Sequence, residues 1–260
     1  MPIDTELSQE QRAFVRPGFE WRAAGAYLFD IDGTLVNTRD LVHYHSFTHA
    51  MREVLGVETT IDGLALQGNT EPGILRDALR RVGMADDVIE AKLPVLARSM
   101  CQYVREHAEE LRPELCRSIL ELVQELYGRG KLLGVASGNL ETIGWLKLER
   151  AGVRHMFSFG SFSMPRQSRA DIFAHGIEQA RQRLGTSAKV HVVGDTPSDI
   201  HAAREVGVPV IALATGIFSF AELMACEPDA CFGCGADLLR HTAAFNGTGK
   251  SAAAFSPVPR

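Results

Sequence analysis

The chain has 260 residues, of which 45% are hydrophobic and 23% are charged, a balance typical of a globular protein with a full core. Its formal net charge of -5 argues against nucleic-acid binding, which normally needs a basic surface, and no run of about 18 apolar residues is present to span a membrane. The first 20 residues lack the basic segment and apolar core of a secretory signal, so we expect a cytoplasmic protein.

The first predicted strand is the apolar segment 26–29, which ends at Asp30 and is followed by the polar turn Asp32-Gly33-Thr34. Residues two apart at a strand end project to the same side, so the carboxyl groups of Asp30 and Asp32 are expected to lie together. Like charges that close resist ionising together unless a cation lies between them or one keeps its proton. The pair therefore indicates a nucleophile, an acid/base and a metal ion.

The segment 38–115 has helical periodicity without any strand between its helices. The predicted helices span residues 40–55, 71–82 and 86–112, and the Gly-rich stretch from Leu66 to Gly73 is predicted to be a flexible loop. This part of the chain is therefore expected to be a helical insertion.

Beyond the insertion, helical and strand patterns alternate. Predicted helices span residues 114–127, 140–151 and 170–184, and predicted strands span residues 132–136, 190–193 and 208–213. Such alternation predicts an α/β fold in which helices cover both faces of a parallel sheet. Ligands bind such sheets beyond the carboxyl ends of the strands, where we expect the polar turns to meet.

Two of these later turns carry candidate ligands. Asp195 and Asp199 follow the strand at 190–193, and their oxygens suit a hard cation, of which Mg²⁺ is the best candidate. Ser137, Gly138 and Asn139 follow the strand at 132–136, and their hydroxyl, amide and backbone N–H groups can hold phosphoryl oxygens without adding charge.

These motifs carry a family resemblance. The segment Asp30-Ile31-Asp32-Gly33-Thr34-Leu35-Val36 resembles the first motif of the haloacid dehalogenase superfamily, and Ser137-Gly138-Asn139 and the segment 194–200 resemble its second and fourth motifs, in the same order. The resemblance covers residues 26–240, including Gly68-Asn69-Thr70 and the segment 146–149. It implies a Rossmann-like core with a helical cap, similar to phosphoglycolate phosphatases and β-phosphoglucomutases.

The expected domain organisation follows from this resemblance and from composition. The core would comprise residues 21–37 and 116–245, and the cap residues 38–115. An N-terminal tail at 1–20 and a Gly-, Ala-, Ser- and Pro-rich tail at 246–260, expected to be disordered, complete the chain.

The third motif departs from the family pattern, which places a lysine ahead of a helix. Here the segment 168–172 contains no lysine, and Arg169 is the candidate replacement because a guanidinium binds carboxylate or phosphate in bidentate fashion. Arg166 and Lys147 are the alternatives.

The resemblance implies a Mg²⁺-dependent phosphatase that acts on a small phosphorylated metabolite. Asp30 would attack phosphorus while the metal, with Asp30, Asp32, Asp195 and Asp199 as candidate ligands, and Arg169 neutralise the phosphoryl oxygens. Asp32 would act as general acid and then general base, a role that needs a raised pKa. Thr34 would orient Asp32 and join Ser137, Gly138, Asn139 and Arg169 in holding phosphate. We expect a monomer or a homodimer.

Several alternatives remain open. A β-phosphoglucomutase keeps the same core residues but returns the phosphoryl group to the sugar, whereas a catalytically silent binding module would explain the missing lysine. Asp32 argues against a dehalogenase, and a phosphonatase would have to use Lys92 as its Schiff-base lysine. The histidines at 43, 45 and 49, and Cys231 with Cys234, are expected to be structural, because neither group offers enough ligands for zinc.

Overall fold

A computed structural model describes residues 13–38, 41–166 and 168–247. The strands and helices in chain order are β1 (Ala13–Val15), β2 (Ala26–Phe29), β3 (Val36–Thr38), α1 (Val42–Leu55), α2 (Glu71–Arg81), α3 (Asp86–Glu106), β4 (Pro113–Leu115), α4 (Ile119–Gly128), β5 (Leu132–Ala136), α5 (Glu141–Arg150), β6 (Phe159–Ser161), α6 (Arg169–Leu184), β7 (Val190–Gly194), α7 (Pro197–Glu205), β8 (Val210–Leu213), α8 (Phe220–Met224), β9 (Ala230–Phe232) and α9 (Gly235–Gly247). None of the helices in these ranges is long and apolar enough to cross a membrane.

The main sheet has seven strands in the order β1-β9-β8-β7-β2-β5-β6. All pairs are parallel except β1 with β9. β2 lies between β5 and β7, and its four residues are all buried, as expected for a strand covered on both faces. The predicted α/β fold with a parallel sheet is confirmed.

Helices cover both faces of this sheet. One apolar cluster joins β2 to α4, α5 and α9, with Phe29 and Leu122 among its buried members. A second joins the other face to α6, α7 and α8, with Phe173 and Ile200 among its members. The chain passes from β2 to β5 and β6 on one side and then crosses to β7, β8 and β9 on the other. The direction therefore reverses beside β2, where ligands bind in open α/β sheets.

The helices α1, α2 and α3 form the insertion between β3 and β4. A third apolar cluster holds them together and includes Phe47, Leu75 and Leu96. The same cluster contains Leu140 and Ile143 at the start of α5, so the insertion packs directly beside the carboxyl end of β5. The strands β3 and β4 form an antiparallel pair at the two points where the chain enters and leaves the insertion.

The structure differs from the sequence prediction at several element boundaries. Ala13–Val15, placed in the N-terminal tail, instead forms the edge strand β1, because its backbone pairs with β9. The helix predicted from 114 begins at Ile119, since Pro113–Leu115 is used as β4. The helix predicted to reach 112 ends at Glu106. The predicted disordered tail begins at 246, inside the last turn of α9, and residues 248–260 lie outside the described ranges.

Candidate active site

The carboxyl ends of β2, β5, β7 and β8 surround one cavity of about 500 Å³ between the sheet and the insertion. The turns after these strands contribute Asp30 and Asp32, Ser137 to Asn139, Asp195, and Thr215 with Gly216. The structure thus brings together the four polar turns that the sequence predicts to meet.

Asp30 lines this cavity. It directly follows the buried strand β2, and its own N–H donates to the carbonyl of Val193 at 2.9 Å, which fixes its backbone. The residue is only 5% exposed, and its Oδ1 atom has no hydrogen-bond partner among the described residues. Burial, together with the charges of Asp199 and Asp32, raises the pKa of Asp30 although Arg169 opposes the shift. One oxygen of a buried carboxyl group is therefore left for a ligand.

Arg169 supplies the positive charge next to Asp30. It is the first residue of α6, whose N-terminus is fixed by a capping box between Ser168 and Asp171. Its Nη2 lies 2.7 Å from Asp30 Oδ2, and its Nε donates to Asp199 Oδ1 at 2.8 Å. Of the three cations considered from sequence, Arg169 is the one that contacts Asp30.

Asp199 and Asp195 lie close to Asp30, and the three acids each place an oxygen within 4.8 Å of the others. Asp199 Oδ2 accepts from the backbone and hydroxyl of Thr196 at the start of α7, so both of its oxygens are used. Asp195 Oδ1 accepts from the Thr34 hydroxyl at 2.7 Å. That hydroxyl, expected to orient Asp32 and to hold phosphate, instead positions Asp195.

The charge of this cluster is unbalanced. Asp30, Asp195 and Asp199 are all buried, and Arg169 is the one cation that contacts them among the described residues. Burial first, and then the charges of Asp30 and Asp199, raise the pKa of Asp195. A divalent cation would relieve this repulsion.

The residues present fit such a cation. The Asp30 Oδ1 atom is buried without a partner, and Asp195 lies beside it, which gives the oxygen ligands that Mg²⁺ prefers. Asp199 is close enough to contribute a ligand, but its two oxygens already accept hydrogen bonds from Arg169 and Thr196. The side chain of Asp32, also predicted as a ligand, is not part of this group and contacts a lysine.

That lysine is Lys147, which lies on the buried face of α5. Its Nζ donates to both oxygens of Asp32, at 2.8 and 2.7 Å, and Asn139 Nδ2 donates to Asp32 Oδ2 at 2.8 Å. Burial favours a raised pKa for Asp32, but the charges of Lys147 and His43 and the two hydrogen-bond donors outweigh it and lower the pKa. The expectation of a raised pKa for Asp32 is therefore wrong in this arrangement, because sequence spacing did not reveal the lysine.

The turn after β5 forms the boundary with the insertion. Ser137 is buried and lines the cavity, and its hydroxyl accepts from the N–H of Asn139 at 3.3 Å. Gly138 is required here, because a Cβ atom would lie 2.3 Å from the carbonyl oxygen of Asn69. The amide of Asn139 contacts Asp32 and Lys147, so its predicted role in holding phosphate stays a prediction.

Glu71, at the start of α2, connects the insertion to this turn. Its N–H donates to the carbonyl of Gly138 at 2.9 Å, and its Oε2 accepts from the N–H of Leu140 at 2.7 Å. The Gly68 carbonyl accepts from the Ser198 hydroxyl at 3.0 Å. The loop predicted to be flexible therefore packs against the turns that carry the acids.

The histidines and cysteines considered as ligands do not join the group of Asp30, Asp195 and Asp199. His43 Nε2 lies 2.7 Å from Glu71 Oε1, and His49 Nε2 lies 3.3 Å from Glu53. Cys231 and Cys234 are buried free thiols. Arg166 contacts the carbonyl of Phe162 at 3.5 Å and lies outside the cavity lining.

Two site residues were missed from sequence. Lys147 was considered only as an alternative to Arg169, yet it stands four residues after Ile143 on an apolar helix face, a position where a charged side chain needs a buried partner. Glu71 begins a helix after the N-cap Thr70, which made it resemble an ordinary N-terminal acid.

Comparisons with known proteins agree with this geometry. Residues 27–213 match the family model described as haloacid dehalogenase-like hydrolase. The chain is 30% identical over 213 residues to a phosphoglycolate phosphatase of Agrobacterium fabrum, covering 78% of this chain and 85% of the relative. A phosphoglycolate phosphatase of Synechococcus elongatus is 28% identical, and the match covers 83% of this chain and 95% of the relative. In fold, the chain resembles a haloacid dehalogenase-like hydrolase of Streptococcus pneumoniae, with a TM-score of 0.58 and 21% identity. The match covers 85% of this chain and 99% of that protein. The chain belongs to the haloacid dehalogenase-like hydrolase family.

Proposed function

We propose that this protein is a Mg²⁺-dependent phosphatase that hydrolyses a small organic phosphomonoester through a phosphorylated Asp30. The main support for this proposal is the burial of the Asp30 carboxyl group and the contacts of its two oxygens. It is buried at the end of the strand β2, one oxygen is held by Arg169, and the other has no hydrogen-bond partner among the described residues. A carboxylate so placed is oriented for attack on a group bound in the cavity.

Mg²⁺ is supported by the acids beside Asp30. Asp195 and the partnerless oxygen of Asp30 would hold the ion, with Asp199 behind them fixing Arg169. When bound, Mg²⁺ supplies positive charge to phosphoryl oxygens and relieves the repulsion between the carboxylates.

In the first step, an oxygen of Asp30 attacks phosphorus and the bond from phosphorus to the ester oxygen breaks. Arg169 neutralises charge on the transferred group, and the hydroxyl and N–H groups of Ser137 and Gly138 are available to hold its oxygens. Because Lys147 favours the ionised form of Asp32, we infer that the proton comes with the substrate. A phosphoester monoanion carries one proton, which Asp32 can accept and deliver to the leaving oxygen.

In the second step, Asp32 is again a carboxylate and serves as the base. It takes a proton from water as the water oxygen attacks the phosphorus of the aspartyl-phosphate. The bond from Asp30 to phosphorus breaks and the Asp30 carboxylate is restored. The proton on Asp32 passes to the departing inorganic phosphate or to solvent, which returns Asp32 to its ionised form. The lowered pKa of Asp32 suits this step better than the first.

The substrate is proposed to be a small phosphorylated metabolite, as the names of the phosphoglycolate phosphatase relatives suggest. A cavity of about 500 Å³ lies within the range of small-molecule sites. Residues 38–115 are proposed to act as the cap that covers it, with the paired β3 and β4 as its two connections to the core. The insertion contributes apolar side chains, among them Tyr44, Phe47 and Ile61, to the wall facing the acids.

The proposal is tested by incubating the purified protein with Mg²⁺ and a panel of phosphomonoesters that includes an aryl phosphate, phosphoglycolate and a hexose 1-phosphate. Phosphate release is expected to need Mg²⁺ and to be abolished in Asp30→Asn. Asp87→Asn, which changes an exposed acid at the start of α3, is the matched control and should retain activity.

Two results would contradict this proposal. Turnover that persists in Asp30→Asn would exclude Asp30 as the nucleophile, and no release across the panel would favour a silent binding module. Conversion of the hexose 1-phosphate to its 6-phosphate, instead of free sugar, would favour a mutase.

A further inference from the structure

Lys147 is a buried lysine that contacts Asp32 but transfers no proton in the proposed steps. Its side chain is 0% exposed, which is costly for an ammonium group unless every donor has a partner. Its Nζ lies 2.8 and 2.7 Å from the two oxygens of Asp32 and 3.0 Å from Asn139 Oδ1. An ammonium group has three N–H donors, and these three acceptors match them.

The contacts form a closed network around one carboxyl group. Asn139 accepts from Lys147 and donates from its Nδ2 to Asp32 Oδ2 at 2.8 Å. Asp32 is thus held at both oxygens from the side of α5, while its side chain remains 40% exposed towards the cavity. The partner of this buried lysine therefore lies on the wall of the ligand cavity and not in the apolar core.

The rest of the helix shows why Lys147 can act as a rigid support. Its neighbours on the buried face of α5 are Ile143, Gly144 and Leu148. Ile143 and Leu148 belong to the apolar clusters of the insertion and of the sheet, so the helix is packed on both sides of the lysine. A side chain anchored this way has few alternative rotamers and can fix the group that it contacts.

We infer that Lys147 is a positioning residue that, together with Asn139, holds the Asp32 carboxyl group at the place from which it transfers protons. Without Lys147, the partly exposed carboxyl group could rotate about its side-chain bonds, because solvent can replace the lost partner. This inference rests on the proposed phosphatase function, and it adds a residue that acts only through Asp32.

The test is a double-mutant cycle between Lys147→Met and Asp32→Asn. Methionine has a similar length and is apolar, and the Asp32 carboxylate that loses its partner is 40% exposed, so water can solvate it and Lys147→Met is expected to fold. Turnover is measured with an aryl phosphate, whose leaving group needs no proton, so that the rate reports the second step, in which Asp32 is the base. Loss of a general base lowers the rate about 10²- to 10⁴-fold, so Asp32→Asn is assayed at a correspondingly higher protein concentration. Lys131→Met is the matched control, because the Lys131 ammonium group is also held by protein acceptors, the part-buried backbone carbonyls of Arg22 and Ala24, and does not line the cavity.

We expect Lys147→Met to lower kcat about 10- to 100-fold, within the range of general acid–base effects, with KM changed less than about threefold. In the Asp32→Asn background the same substitution should have no further effect on kcat. An equal loss in both backgrounds would show a general structural role and overturn the inference, as would an unchanged kcat in Lys147→Met.

A crystal structure of Lys147→Met gives a second measurement that does not depend on activity. The Asp32 carboxyl group is expected to occupy more than one rotamer, and a single unchanged position would overturn the inference. If the unaltered protein released no phosphate from any ester, the proposed function would fail, and this structure would still decide whether Lys147 fixes Asp32.

Discussion

Arg169→Met removes the guanidinium that joins two buried acids, and its cost can be worked from the contacts. Nη2 contacts Asp30 and Nε contacts Asp199, and both acid side chains are at most 6% exposed. Removing one partner of a buried ion pair costs about 3–5 kcal/mol, because the charge that remains is buried without compensation. This cost is a large part of the free energy of unfolding of a typical protein, which is about 5–15 kcal/mol.

The assay is denaturant unfolding in EDTA, so that a bound cation cannot replace the missing charge. Arg169→Lys keeps the charge but loses the second donor, and we expect it to lose about 1–2 kcal/mol. Arg150→Met is the control, because its partner Glu109 is 90% exposed and such surface pairs contribute about 0–1 kcal/mol. A loss below about 1 kcal/mol in Arg169→Met would refute this account of the cluster.

Two further predictions concern His191 and Gly33. Burial lowers the pKa of His191 from 6.5 to about 4, so the unfolded chain binds a proton that the folded chain excludes, and stability should fall as the pH drops between these values. The loss reaches about 3 kcal/mol near the lower value, and unfolding measured across this pH range should show a smaller loss in His191→Phe. In Gly33→Ala, at φ +86°, the new Cβ would lie 2.2 Å from Asp195 Oδ2, and we expect phosphate release to fall at least about 100-fold. Gly18→Ala is the control, because Gly18 has φ +83° and open space around it; it should cost only about 1 kcal/mol of stability and leave phosphate release unchanged. Equal losses of phosphate release in the two variants would contradict the placement of Gly33 against Asp195.

Much of the fold follows from local patterns in the sequence. The strands β2 and β5 are continuous apolar runs, β7 is interrupted only by His191, and all three end in polar turns. This pattern identifies them as buried parallel strands and places their turns at one edge. The strands β1, β6 and β9 have three residues each, too few for a periodic pattern, and depend on pairing with distant segments. The strands β3 and β4 were missed for the same reason.

The candidate active site, like the fold, was only partly predictable from the sequence. Asp30 and Arg169 were found from motif order, and the structure brings them into contact. The contacts of Asp32 were not predictable, because Lys147 is 115 positions away in sequence and reaches it only through the packing of α5 against the sheet. A pKa depends on such partners, so the motif alone could not give the direction of the shift for Asp32.

Trapping the phosphorylated intermediate would identify the residue that carries the phosphoryl group, which we propose is Asp30. The protein is mixed with Mg²⁺ and an aryl phosphate, quenched in acid, and treated with borohydride, which reduces an acyl phosphate to an alcohol. Peptide mass mapping is expected to find homoserine at position 30 and unmodified aspartate at positions 32 and 195. Phosphate release without any modification at position 30, or modification at position 32 instead, would contradict the account.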